Sequence, residues 1–196
     1  MKNNKISNLK RSYNFSVLPF ELLKISYRKI SNKISTLYWK CAGVRMGEGS
    51  VIERNFNTNC PRKIVLGSNC LISKGVTITT EDPFNENIIM IEDKVQINNN
   101  VKIDVTGGLK IGRDSLISSN TFIFTHSHGL DPRTLPKPIH LNIGESVWIG
   151  ERVIILQSVN NIGYKSIVGA GTTLSKDVLQ RNIAVSSANR TLIRND

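Results

Sequence analysis

The stretch Ile143-Gly-Glu-Ser-Val-Trp-Ile149-Gly-Glu-Arg-Val-Ile-Ile155 places an isoleucine at every sixth position. A period of six matches neither the 3.6-residue turn of an α-helix nor the two-residue alternation of a plain strand. Outward from this stretch the spacing persists. Ile162, Val168 and Leu174 continue it toward the C-terminus, and Ile111, Ile117 and Ile123 precede it. Further upstream come Ile91, Ile97, Ile103 and Leu109, and before them Leu66, Ile72 and Ile78. One place after the aliphatic residue stand small or polar types such as Gly112, Ser118, Gly144 and Gly150. Four places after it stand short side chains such as Cys70, Val76, Ser115, Thr121, Val147 and Ser166.

Such a register describes a coil with flat sides of about six residues, each side turning one large and one small group inward. Stacked coils then share ladders of aliphatic side chains, and no coil can bury its apolar edge alone. Glycine and asparagine suit the corners, where φ is positive. The expectation is an all-β chain built as a parallel β-helix of hexapeptide repeats, preceded by a short amphipathic helix. Residues 46–182 form the β-helix and residues 183–196 a tail. Thr80 to Asn87 and the proline-bearing segment 129–142 interrupt the period and read as loops. Loops leaving a rigid solenoid are places where function collects.

The chain has 196 residues and a net charge of +11, and the charge is unevenly placed. Residues 1–45 hold ten lysines and arginines and one acid, Glu21, while the remaining residues are close to balance. The basicity therefore belongs to the N-terminal segment. Within it, Leu23, Tyr27, Ile30, Ile34, Leu37, Tyr38 and Cys41 share one helical stripe, with lysines and an arginine on the other faces and Pro19 at a first-turn position. Residues 19–41 read either as a basic helix in peripheral contact with a membrane surface or as a helix capping the β-helix or packing on a neighbouring subunit. Few aromatics and no binding module speak against a nucleic-acid partner. No apolar run approaches the roughly 18 residues of a membrane span. Three cysteines (Cys41, Cys60, Cys70) without metal-ligand spacing, and no apolar stretch in signal-peptide position, fit a cytoplasmic setting, peripheral at the inner face of the plasma membrane if the helix binds lipid.

Three histidines are present. His126 and His128 sit in Phe124-Thr-His-Ser-His-Gly-Leu-Asp-Pro132, where a repeat gives way to the loop, and His140 lies near the loop's far end. Histidine is the natural general base at neutral pH. Two residues apart on an extended strand, His126 and His128 are expected to face opposite sides. Zinc usually wants three protein ligands, so no metal is expected.

From about Met46 to Arg194 the chain resembles the hexapeptide-repeat O-acetyltransferases, in the branch of maltose and galactoside acetyltransferases and many capsule, O-antigen and exopolysaccharide acetyltransferases. The resemblance is carried by residues 143–150, by Ile162-Gly-Tyr-Lys-Ser-Ile-Val-Gly-Ala-Gly-Thr-Thr-Leu-Ser-Lys-Asp177, and by the histidine-rich loop ahead of Trp148. It implies a left-handed coil, a homotrimer with sites between subunits, acetyl-CoA as co-substrate and a sugar or glycan acceptor. His128 matches the family's general base, with His126 as runner-up or orienting partner. Asn98 matches an acceptor-contacting asparagine and Trp148 a tryptophan beside the site. Gly150, Gly169, Ala170, Ser175, Lys176 and Arg190 match positions that contact the coenzyme. The chain departs from the family where Ser186-Ser-Ala-Asn189 replaces Gly-Asn-Pro-Ala, and where Gln157-Ser158 replaces Pro-Gly. The implied activity is acetyl transfer to a sugar hydroxyl in surface-polysaccharide synthesis. An amino-sugar N-acetyltransferase and a catalytically inactive β-helical scaffold are the alternatives.

Overall fold

The computed structural model describes Asn14 and residues 16–186. Helix α1 spans Leu18–Ala42 and ends on Gly43, whose φ of 115° is the left-handed stop that glycine allows. The chain then winds as a left-handed parallel β-helix. Its three sheets hold six, seven and six parallel strands. We call them faces A, B and C in the order the chain meets them. The first coil runs through β1 (Arg45–Met46), β2 (Val51–Ile52) and β3 (Asn57–Thr58), one strand per face. Five further coils repeat the circuit, and β21 (Ile183–Ala184) adds a last strand to face B.

The aliphatic ladders run between coils. On face B, Ile52 pairs in register with Ile72, then Ile97, Ile117, Ile149 and Val168. All six are fully buried. The six-residue period of the sequence steps these residues around the coil, and the pitch stacks them. The short inward positions fill the corners. Val76, Val147 and Val153 are buried as apolar groups, and Cys70 is buried with its thiol donating to the Glu92 carbonyl. Ser115 and Thr121 are buried too, but their hydroxyls donate to the carbonyls of Gly144 and Gly150 on the next coil. Corner backbone that the ladder leaves unpaired is thereby satisfied. Asn55, Asn69, Asn100 and Asn120 sit at corners with φ near 60°.

Helix α1 lies over the first coil. Its inward face is polar. Thr36 Oγ1 accepts from the Ile52 backbone N–H at 3.0 Å, Ser35 donates to the Glu53 carbonyl, and Asn32 donates to the Glu53 carboxylate. Trp39 meets Phe56 edge-on at 5.0 Å and closes the end of the core. The helix thus caps the open edge of face B with hydrogen bonds. The stripe from Leu23 to Tyr38 is exposed, with Ile30 and Leu37 at the edge of a groove against the first coil. Among the described residues no helix is long and apolar enough to cross a membrane.

The ladder is the source of stability, which gives a direct test. Ile117→Ala should cost about 2–5 kcal/mol by removing a filled rung. Lys102→Ala, on an exposed strand position where the ammonium lies over the Phe122 ring, should cost no more than about 1 kcal/mol. Denaturant unfolding of both variants measures the contrast.

Candidate active site

The chain leaves the coil after β12 (Phe122–Ile123) and rejoins it at β15 (Leu141–Ile143). In between, β13 (His126–Ser127) and β14 (Lys137–Pro138) pair antiparallel as the two arms of a projecting hairpin. Both arms cross Gly107. The Gly107 N–H donates to Thr125 Oγ1 at 3.0 Å, and the Ile139 N–H donates to the Thr125 carbonyl at 2.8 Å. A Cβ on Gly107 would lie 2.1 Å from the Thr125 carbonyl oxygen and 2.3 Å from Ile139 backbone. Only glycine lets the hairpin seat on the coil here.

Asp104, at the end of β9 (Lys102–Asp104), organises what lies around this exit. Its Oδ2 accepts from His126 Nδ1 at 2.8 Å and from the Thr125 N–H at 2.8 Å. Its Oδ1 accepts from the Thr106 hydroxyl at 2.5 Å and from the Thr106 N–H. Thr106 Oγ1 in turn accepts from the Glu81 N–H at 2.9 Å, and the Thr106 carbonyl accepts from the Asn85 and Asn87 amides. One carboxylate therefore positions both the histidine hairpin and the 80–87 loop of the coil before. Burial alone would raise the Asp104 pKa. Hydrogen bonds from Thr106, His126 and Thr125 outweigh it and hold the carboxyl below the usual range.

The proton positions follow from the partners. Asp104 is an acceptor, so His126 Nδ1 carries a proton and Nε2 faces outward. His128 Nδ1 lies 2.6 Å from the Thr134 carbonyl, which can only accept, so Nδ1 is the donor there too. Both Nε2 atoms converge on Glu81, His126 at 3.3 Å and His128 at 3.0 Å. The imidazoles meet edge to face, 5.0 Å apart.

The expectation that these histidines face opposite sides is therefore corrected. The strand is only two residues long, Gly129 turns the chain with φ +69°, and the Thr134 carbonyl holds the second ring. The spacing of the two histidines therefore does not keep them from sharing a metal ion. Glu81, His126 and His128 each offer a ligand atom, all within 4.8 Å of one another, which is a set able to hold a divalent ion. His140 stands apart, against Gly108 on the returning arm.

A second group of candidates gathers elsewhere. Asn98, Trp148, Gly150, Gly169 and Ala170 line one groove of about 450 Å³ along face B. Trp148 is half-exposed, and its indole N–H donates to Ser118 Oγ at 3.1 Å. The backbone of Gly150 approaches that of Ala170 so closely that a Cβ would sit 2.5 Å from the Ala170 nitrogen. Ser175 and Lys176 follow β20 (Thr173–Leu174) on exposed backbone. Arg190 lies outside the described residues. Within one chain, face C separates this groove from the histidines. The six residues from Asn98 to Asp104 span up to about 20 Å.

The sequence alone assigns no role to Asp104, Glu81, Thr106 or Gly107. Their signal was the coil pitch. Strands one coil apart pair at offsets such as Lys102 with Phe122 and Thr77 with Lys102. Asp104 and His126 are a near-coil apart, as are Glu81 and Thr106.

A left-handed β-helix of this kind is the fold of a hexapeptide-repeat acetyltransferase of known structure. No family model matches the chain. Over 175 residues it is 29% identical to WbbJ of Escherichia coli K12, described as a lipopolysaccharide biosynthesis O-acetyl transferase, covering 77% of this chain and 87% of that one. The hexapeptide-repeat acetyltransferase VCA0836 of Vibrio cholerae shares the fold with a TM-score of 0.56 at 22% identity, over 96% of this chain and 92% of that one. AntD of Bacillus cereus, an N-acyltransferase seen with dTDP-4-amino-4,6-dideoxyglucose and coenzyme A, shares the fold with a TM-score of 0.64 at 20% identity, over 78% and 85%. The chain thus resembles the hexapeptide-repeat acetyltransferases in sequence and shares their fold, and it is an acyltransferase.

Asp104 should contribute to stability only while ionised. Its folded pKa is depressed, so the contribution is complete above its unfolded value of about 3.9 and is lost as pH falls through the lower folded value. Asp104→Asn should lower the melting temperature at pH 7 and flatten the dependence below about pH 4. Melting curves across pH read both effects. An unchanged acid limb would show that Asp104 is not the group responsible.

Proposed function

We propose that this protein transfers an acetyl group from acetyl-CoA to a sugar hydroxyl, with His128 as general base. The observation that carries the reading is the paired imidazoles, each with Nδ1–H fixed by an acceptor and Nε2 turned to the same point at the hairpin's mouth. Glu81 occupies that point here, where an acceptor hydroxyl would stand. His128 is the more exposed of the two rings, and so the better placed to meet an incoming acceptor. Asp104 and His126 form the supporting pair that shapes the pocket.

The chemistry is direct transfer. His128 Nε2 takes the proton as the hydroxyl oxygen attacks the thioester carbonyl. The tetrahedral intermediate collapses with loss of the coenzyme thiolate, and the imidazolium returns its proton to sulfur. The products are an acetyl ester and free coenzyme A. The groove holding Trp148, Gly150, Gly169 and Ala170 suits the coenzyme arm, with Asn98 toward the acceptor. Because face C separates that groove from the histidines, the complete site calls for a second copy. A homotrimer would set the hairpin of one chain against the groove of its neighbour. The likeness to WbbJ supports a lipopolysaccharide-type acceptor.

N-acetylation of an amino sugar is the second reading. The Glu81 carboxylate between the rings would suit an ammonium group, and AntD is an N-acyltransferase. The products separate the two readings, because hydroxylamine cleaves an acetyl ester and leaves an amide.

His128→Ala should lower turnover on the order of 10²–10⁴-fold while the oligomer persists in gel filtration. Radiolabelled acetyl-CoA with a panel of sugars, nucleotide sugars and lipid-linked glycans provides the assay. Wild-type turnover in that variant would sink the assignment of the base. A failure of calorimetry to detect acetyl-CoA would sink the enzyme reading in favour of a scaffold.

A further inference from the structure

Helix α1 presents the reverse of the usual surface helix. Its polar residues Asn32, Ser35 and Thr36 are spent on hydrogen bonds to the first coil. Phe20, Leu23, Tyr27, Ile30, Ile34, Leu37 and Tyr38 lie on the opposite side and are 59–67% exposed. At 3.6 residues per turn these seven form one continuous stripe. Cations flank it on both sides, Arg28 and the Glu21-paired Lys24 along one margin and Lys29, Lys33 and Lys40 along the other. The second margin overlooks a groove of about 740 Å³ between the helix and the first coil, where the three lysines meet Ile30, Leu37 and Val51.

We propose that this face docks on an anionic lipid surface. Aliphatic and aromatic groups along the centre would enter the acyl boundary. The flanking cations would meet phosphates, and the lysine-rimmed groove would take a headgroup above an apolar floor. Charge decides between occupants. Residues 1–45 carry nine of the chain's eleven net positive charges. Pairing this face with the same face of a second copy would set cationic margins against each other, whereas an anionic bilayer neutralises them. A coil edge already sealed by Thr36 and Trp39 leaves the stripe no role in closing its own core. The inference stands independently of the acetyl-transfer reading.

The test uses the full chain without donor or acceptor. The protein should sediment with vesicles of phosphatidylcholine mixed with phosphatidylglycerol, bind pure phosphatidylcholine far less, and release as salt rises. Ile30→Glu with Ile34→Glu should abolish sedimentation. Replacing Lys29, Lys33 and Lys40 by glutamine should weaken it on the order of a hundredfold, at about 1 kcal/mol per cation. All five side chains are exposed, so circular dichroism should be unchanged. No sedimentation of the wild-type protein would overturn the proposal. So would isoleucine variants that keep vesicle binding, or that dissociate the oligomer in gel filtration, which would place the stripe in a subunit contact.

Discussion

Every coil of this protein depends on the next for the partners of its backbone. Parallel strands of two or three residues cannot hold together alone, and each N–H and carbonyl on a flat face finds its bond one coil away. The aliphatic ladders reinforce the same direction, since Ile97 is buried only because Ile72 and Ile117 lie above and below it. A molecule built this way is stiff across the stack and has two problem ends, where an unpaired edge invites another strand.

The first end explains the helix. Sealing the edge of face B takes hydrogen-bonding side chains, so α1 turns Asn32, Ser35 and Thr36 inward. An amphipathic helix that spends its polar side on the protein has only its apolar side to show outside. The exposed stripe is thus a consequence of capping with polar groups, and the cations at its margins decide what kind of surface it suits.

The six-residue period was legible because it encodes contacts made within each coil, inward or outward. The helix was legible for the same reason, from its 3.6-residue stripe, although sequence alone left open which face met the coil. What escaped notice depends on pitch. Asp104 touches His126, and Glu81 touches Thr106, through neighbouring coils whose spacing in sequence varies with the loops between them. The histidine pair was misjudged for a related reason. Strand alternation governs side-chain direction only where a strand continues, and here it ends after Ser127.

The stiffness of the stack also accounts for where the reactive groups stand. A regular coil gives each corner residue a fixed direction but no concavity, so a pocket has to come from something added to the coil. Here two additions meet at the same corner, the 80–87 loop one coil before Asp104 and the 124–140 hairpin one coil after it. Asp104 lies between them and is bonded to both through Thr106, Thr125 and His126. Gly107 removes the one Cβ that would hold the hairpin away. The pocket therefore inherits its precision from the ladder beneath it. A shift in the register of face C would move Asp104 relative to Thr125, and the two imidazoles would lose their common focus before the fold itself was lost.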